Sequence, residues 1–379
     1  MQKWLLLVGF IYVGILIFLS WYSQRKVKSQ EDFIMAGSKL GLVLGFMTFS
    51  ATLFSTFTLM GMPDFSRVHG VGAWMFLAFS DAGMVFLILW FGFLLRKKVA
   101  SIEFRGMSSL LQHIYGIKWA GYLYFLAIFI FLVPYVAIQI RGVATFLELG
   151  FGNLNIPAIM MSPVTQPQLS TRLVIMKDIK AMNKMAVAVG FFAMLVIFPT
   201  LLIGFYGAIN YPDATAAEFI GKALIKDQLP IVSAFAVIGL FAAAMSTADS
   251  QLFALGNELR GLLGEKARKS LITIRLAVLG FAVSALLFSL FSSDQLVLLA
   301  RVSFAGTAMT GPLILLGLIT NKPQGSFMVW ITGLGIITFL LAQAKFLPLK
   351  VGGLGIDLFL FIILGLAALA NYLVMKNKD

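Results

Sequence analysis

Two stretches of the chain set hydroxyl side chains inside otherwise apolar sequence, densely enough to do chemistry. The first, TFSATLFSTFTLMGMP at 48–63, carries Thr48, Ser50, Thr52, Ser55, Thr56 and Thr58 ahead of Gly61 and Pro63. The second, FAAAMSTADSQL at 241–252, places small alanines before Ser246-Thr247 and Asp249-Ser250. Hydroxyls, together with backbone carbonyls released where a helix unwinds, are the hard oxygen ligands that a dehydrated small cation requires. The same residue types also suit close helix packing. On residue types alone both readings are open.

Charged side chains inside apolar runs are the other candidates. Asp81, Arg141, Asp249, Arg275 and Arg301 fall there, where each costs roughly 2.5–3.5 kcal/mol on insertion scales and so points to function. Arg141 and Arg275 are also placed to snorkel to an interface. Asp249 follows Thr247 by two residues, about 200° around a helix. It is therefore expected outside any ligand shell built on Thr247, as a polar anchor or proton-linked group near the cytoplasmic exit. Catalytic constellations are lacking: there is no H-E-x-x-H, G-x-S-x-G or Walker loop. With no cysteine and only His69 and His113, thiol chemistry and Cys- or His-rich metal centres are disfavoured. The sequence reads as a non-enzyme.

These residues need elements to hold them, and composition says which. Of 379 residues, 60% are hydrophobic and 12% charged, against about 25% charged in a soluble domain. The mean hydropathy is +0.95. Such a chain is an integral membrane protein, long enough for roughly ten spans of about 20 residues. Apolar runs fall at about 4–22, 41–62, 71–95, 119–148, 185–209, 229–257, 271–292, 295–320, 326–344 and 354–375. Each is expected to be helical, because lipid offers no partner for free backbone groups. The first run has no A-x-A cleavage site and reads as a retained helix. The polar segment 103–116 is expected to be a cytoplasmic amphipathic helix.

The net charge of +13 reflects topology, not nucleic-acid binding. The bases lie in short clusters between apolar runs, as the positive-inside rule produces. That rule puts 23–39, 96–118, 170–184 and 258–270 in the cytoplasm and the N-terminus outside. Counted from either end, the two halves disagree across 149–171. An odd number of crossings is needed there, yet the segment has two asparagines, three prolines and no run of ten apolar residues.

Several segments resemble the sodium/solute symporter family, which includes the proline, pantothenate and sugar cotransporters. DFIMAGSKLG at 32–41 and FSATLFSTFTLMGMPDFSRVHGVGAW at 49–74 resemble the approach to its first core helix, that broken helix and the turn after it. SSLLQHIYG at 108–116 is similar to its cytoplasmic segment, and SPVTQPQLSTRLVIMKDIKAM at 162–182 to its S-P-x-x-x-Q-R-x-x-x-A-K-D loop. AAAMSTADSQL at 242–252 resembles A-A-x-M-S-T-x-D-S-x-L, the most specific match. RVSFAGTAMTGPLILLGL at 301–318 is similar to the tenth core helix.

The resemblance implies an all-α polytopic membrane protein, a leucine-transporter-like inverted-repeat helical bundle of about 10 transmembrane helices. It implies one transporter domain over 1–379, with an N-terminal part at 1–150 and a C-terminal part at 162–379. It further implies a sodium site formed by the carbonyls of Ala51, Phe54 and Ala243 and the hydroxyls of Ser246 and Thr247. Sodium (Na+) would be the coupling ion, a small polar organic molecule the solute, and the plasma membrane the location, by alternating access. The core's fourth, fifth and sixth helices have no counterpart. The apparent deletion falls near 151–162, and an odd number of absent helices accounts for the charge conflict. The alternative is a transport-dead relative or interaction subunit that keeps only the scaffold. The oligomeric state is not legible.

Overall fold

The computed structural model describes residues 2–25, 40–55, 57–100, 102, 104–144, 166–263, 271–291, 296–320 and 325–376. The chain runs as α1 (Gln2–Gln24), α2 (Leu42–Leu53), a π-helical turn (Phe57–Gly61), α3 (Met62–His69), α4 (Val71–Val99), α5 (Met107–Tyr115) and α6 (Lys118–Ala144). It continues through α7 (Pro167–Ile175), α8 (Ile179–Asn210), α9 (Ala216–Gly221), a second π-helical turn (Lys222–Lys226) and α10 (Pro230–Leu262). Then follow α11 (Leu271–Phe291), α12 (Leu296–Ala308), α13 (Gly311–Ile319), α14 (Phe327–Gln343), strands β1 (Lys350–Val351) and β2 (Leu354–Gly355), and α15 (Ile356–Lys376). The strands form an antiparallel hairpin. Its tip residues, Gly352 and Gly353, have φ of 58° and 83°, the left-handed pair that a two-residue hairpin turn requires.

All ten apolar runs carry helix. Among the described residues, seven helical segments are long and apolar enough to cross a membrane, and the bent pair α2–α3, counted as one span, makes an eighth. The surface is apolar as well as the core: Phe10, Ile17, Phe86, Phe191, Leu195 and Phe291 are among many exposed large hydrophobes. A water-soluble protein does not tolerate such continuous exposure; a lipid-facing one requires it.

The structure refines three of these segments. The run 295–320 is not one continuous helix, because Met309-Thr310 separates α12 from α13 and Pro312 lies in the first turn of α13. The run 185–209 begins earlier, at Ile179, where the Asp178 carboxylate accepts from the Ala181 amide at 2.6 Å and caps α8. The amphipathic helix within 103–116 does form, as α5. Yet it is not a surface helix: Met107, Leu110, Leu111, Ile114 and Tyr115 pack in the main core. The Tyr115 hydroxyl donates to the Leu313 carbonyl at 2.7 Å.

Hydrogen bonds gather the base-rich segments at one end of the bundle. Arg96 donates to the carbonyls of Leu173, Val174 and Met176 at 3.1, 3.1 and 2.6 Å. Lys177 donates its amide to the Leu40 carbonyl at 2.9 Å. The Glu258 carboxylate accepts from the Met107 and Ser108 amides at 2.8 and 2.7 Å and from the Ser108 hydroxyl at 2.6 Å. Gly106 precedes them at φ 104°, and a Cβ there would lie 2.9 Å from Glu258 Oε2. The two halves of the chain thus share one base-rich end, as their charge preferences require. The junction near 151–162 falls outside the described residues.

The opposite end has its own ties. Arg67 bonds Asp64 Oδ1 through Nε at 2.8 Å and donates to the Tyr211 and Pro212 carbonyls at 3.2 and 2.7 Å. The hydroxyls of Tyr206 and Tyr211 both donate to Asp227.

Candidate functional site

The site begins with a helix that stops. In α2 the last helical hydrogen bond runs from the Phe54 amide to the Ser50 carbonyl at 2.9 Å. The next amide, that of Ser55, should bond the Ala51 carbonyl. It turns instead to the hydroxyl of Thr58 at 3.2 Å. Ser55 Oγ accepts the Phe57 amide at 3.2 Å and bonds the Tyr135 hydroxyl of α6 at 3.2 Å. Ser55 is fully buried and Thr58 nearly so. These side chains stand in for the missing backbone bonds, which is what a broken helix at membrane depth needs. The chain resumes as a π-helical turn, itself a frequent functional feature, and α3 leaves at 61° to α2.

The break frees carbonyls, and α10 supplies hydroxyls to meet them. Ser246 Oγ lies 2.8 Å from the Ala51 carbonyl and 3.0 Å from the Ala243 carbonyl. Thr247 Oγ1 lies 3.5 Å from the carbonyls of both Ala51 and Thr52. Thr247 is fully buried and Ser246 half-buried. Four of the five residues expected to hold the ion are therefore brought together: Ala51, Ala243, Ser246 and Thr247. Phe54 sits at the break with φ −86° and ψ 114°, and its ring meets Phe192 edge-on at 5.2 Å; no hydrogen bond among the described residues ties it to the other four.

The donor set fits a small monovalent cation. All its oxygens are neutral, and no cluster of three His, Cys, Asp or Glu exists among the described residues, so a divalent or transition-metal centre is not what this cluster resembles. Around a hard cation with ligand distances of about 2.4 Å, adjacent octahedral oxygens stand roughly 3.4 Å apart. Ser246 Oγ stands 2.8 and 3.0 Å from the Ala51 and Ala243 oxygens, and Thr247 Oγ1 3.5 Å from that of Ala51. Small adjustments suffice to open the cluster around an ion.

The in-span charges take different places. Asp249 is exposed on the opposite face of α10 from buried Thr247. It is outside the hydroxyl cluster, as the helical angle requires. Arg275 is exposed near the start of α11. The side chains of Asp81, Arg141 and Arg301 lie outside the described ones.

Sequence reading missed the polar chain behind the cluster. One turn along α10, Ser250 Oγ donates to the Ser246 carbonyl at 2.8 Å. It also bonds Thr52 Oγ1 at 3.0 Å and accepts from Arg172 Nη2 of α7 at 2.9 Å. The spacing of Ser246 and Ser250 was the available signal. Arg172 is distant in sequence and carried none.

No protein-family model matches the chain, and no curated protein matches it. Among solved structures, the chain is similar to a Na+-coupled sialic acid symporter in a substrate-bound outward-open state, with a TM-score of 0.77 and 12% identity over 99% of this chain and 98% of that one. At that identity the likeness establishes the fold, a leucine-transporter-like helical bundle, and with the seven apolar spans it defines a multi-pass membrane protein.

Proposed function

We propose that the chain is a sodium-coupled symporter of the sodium/solute symporter family, carrying a small polar organic solute across the cell membrane by alternating access. One observation carries the reading: the Ser246 and Thr247 hydroxyls converge on the Ala51 carbonyl where α2 breaks. The likeness to a Na+-coupled symporter and the A-A-x-M-S-T-x-D-S-x-L resemblance support the same ion. In this mechanism the two hydroxyls give up their hydrogen bonds to Ala51 and Ala243 and turn lone pairs toward sodium. The Ala51, Phe54 and Ala243 carbonyls complete the shell. Bound sodium then bridges α2 and α10, and this favours the arrangement in which solute binds.

The same resemblance supports the absence of three core helices, since the segment 145–166 is far too short for three spans of about 20 residues. The solute site would then be built without the sixth core helix. Reconstitution in liposomes tests the function directly. Sodium-driven, membrane-potential-sensitive uptake of a polar solute, lost in Ser246→Ala/Thr247→Ala, is the expected result. Sodium binding without any driven uptake would assign the alternative, a scaffold that keeps the ion site. Absence of both sodium binding and driven uptake would refute the symporter reading and leave the subunit that keeps only the scaffold.

A further inference from the structure

One turn along α10 from Thr247, Gln251 is fully buried. Neither end of its amide, Oε1 or Nε2, has a hydrogen-bond partner among the described residues. Its neighbours along the helix are apolar: Leu255 lies in the main core, and Ala248 and Leu252 pack against that core. A buried amide with both ends unpaired is costly and rare in native proteins. A hydrocarbon side chain of the same size would avoid that cost. An amide kept here needs a ligand to account for it.

Helix geometry says what that ligand is. Residues four apart stack on one face of a helix, their Cβ atoms about 5–6 Å apart. Long side chains in a helix also lean toward its N-terminus, over the preceding turn. On α10 this lays Gln251 over Thr247, whose Oγ1 stands 3.5 Å from the Ala51 carbonyl. Gln251 therefore approaches the hydroxyl cluster from the base-rich end, where Glu258 accepts from the Ser108 amide. The neighbouring hydroxyl at this level is already committed. Ser250 Oγ donates to the Ser246 carbonyl and bonds Thr52 and Arg172. An amide oxygen is a neutral, hard donor of the same kind as the backbone carbonyls. The five oxygens assigned to sodium leave one position of an octahedral shell open.

We propose that Gln251 is a further sodium ligand, its amide oxygen turning onto the inner side of the Ser246–Thr247 cluster when the ion binds. The inference rests on the sodium reading. It adds to that reading a residue that makes no bond to the cluster in the ion-free arrangement and is recruited by the ion itself. Occupancy then relieves the unpaired oxygen, so sodium stabilises α10 one turn deeper than the two hydroxyls reach.

The test is a sodium titration of the purified full-length protein, read as the rise in thermal midpoint over potassium at equal ionic strength. Gln251→Leu and Gln251→Met remove the amide at nearly constant volume. Each should leave the sodium-free midpoint unchanged or higher, because an unpaired buried amide is gone. The sodium dissociation constant should nevertheless rise about tenfold, as for the loss of one neutral oxygen facing a charge. A residue that only packs would shift stability equally in both salts. Gln251→Glu keeps an oxygen at the same reach and should bind sodium no more weakly than the wild type. Unchanged sodium affinity in both Gln251→Leu and Gln251→Met would overturn the proposal and leave the sodium reading standing. Weakening in Gln251→Glu to the level of Gln251→Leu would also overturn it, marking a position sensitive to any change. No sodium response in the wild type would remove the sodium reading itself, and this inference with it.

Discussion

Ser246→Ala isolates the contribution of a single ligand oxygen. The substitution removes a hydroxyl 2.8 Å from the Ala51 carbonyl and 3.0 Å from that of Ala243. Without an ion, Ala51 is left with Thr247 Oγ1 at 3.5 Å, the outer limit of a useful hydrogen bond. The fold should lose about 1 kcal/mol, a typical net hydrogen bond. With sodium bound, the loss is an interaction with a full charge, worth about 1.5–3 kcal/mol. That converts to a rise in the sodium dissociation constant of about tenfold to 150-fold. Sodium-dependent thermal protection, titrated against choline at constant ionic strength, reads both quantities in one experiment. Ser284→Ala serves as control, because Ser284 is half-buried on α11 and its hydroxyl bonds the Gly280 carbonyl of its own helix at 2.9 Å. Thr247→Ala should act in the same direction, with the double variant not additive because both hydroxyls share Ala51. Wild-type sodium affinity in the double variant, with the fold intact, would refute the reasoning and leave both hydroxyls as packing groups.

Ser250→Ala should weaken sodium binding less than Ser246→Ala does, by about two- to fivefold, since it only loosens the Thr52–Ser250–Arg172 chain behind the cluster; the same titration measures it. Asp249→Asn should leave sodium affinity unchanged, because Asp249 is exposed and faces away from Thr247; a large loss would place the carboxylate in the ion site. Glu258→Gln exchanges an acceptor of three hydrogen bonds for a group that cannot accept them all; thermal stability should fall by about 2–3 kcal/mol. At the other end of the bundle, hydrogen bonds from Tyr211 and then Tyr206 hold the Asp227 carboxyl below its ordinary value. A depressed carboxyl stabilises the fold above its unfolded pKa, and that contribution is lost as pH falls through the folded one. Tyr211→Phe should therefore shift the acid end of the stability profile upward, toward the ordinary Asp value of about 3.9, as thermal unfolding followed from about pH 6 downward would show.

Much of the fold was legible because lipid leaves few choices. An apolar run of about 20 residues has to be helical, and all ten runs carry helix, with breaks inside 41–62 and 295–320. The position of the break in the first hydroxyl-rich stretch was harder to read. Gly61 and Pro63 are the strongest local breakers, yet Gly61 ends the π-helical turn and Pro63 sits in the first turn of α3, where proline is tolerated. The chain breaks earlier, at Phe54-Ser55, because Thr58 and Tyr135 are placed to satisfy what the backbone gives up. That compensation depends on α6, some eighty residues away, and no local pattern encodes it. The burial of α5 was hidden for the same reason, since its amphipathic pattern is indifferent to whether water or α10 and α13 cover its second face. Ser246 and Thr247 were readable from the motif they resemble. Arg172, which completes the polar chain, became visible only when α7 was seen against α10.

The central claim is that the break in α2 and the hydroxyls of α10 form one sodium site. Hydrogen exchange of the purified protein in sodium against potassium, at equal ionic strength, tests it most directly. Sodium, and not potassium, should slow exchange in two segments together, 51–61 and 243–250, while the amides around α5 and Glu258 stay unchanged. The Ser246→Ala/Thr247→Ala variant should lose both effects at once. Equal exchange of the two segments in sodium and potassium, or protection in only one of them, would contradict the account.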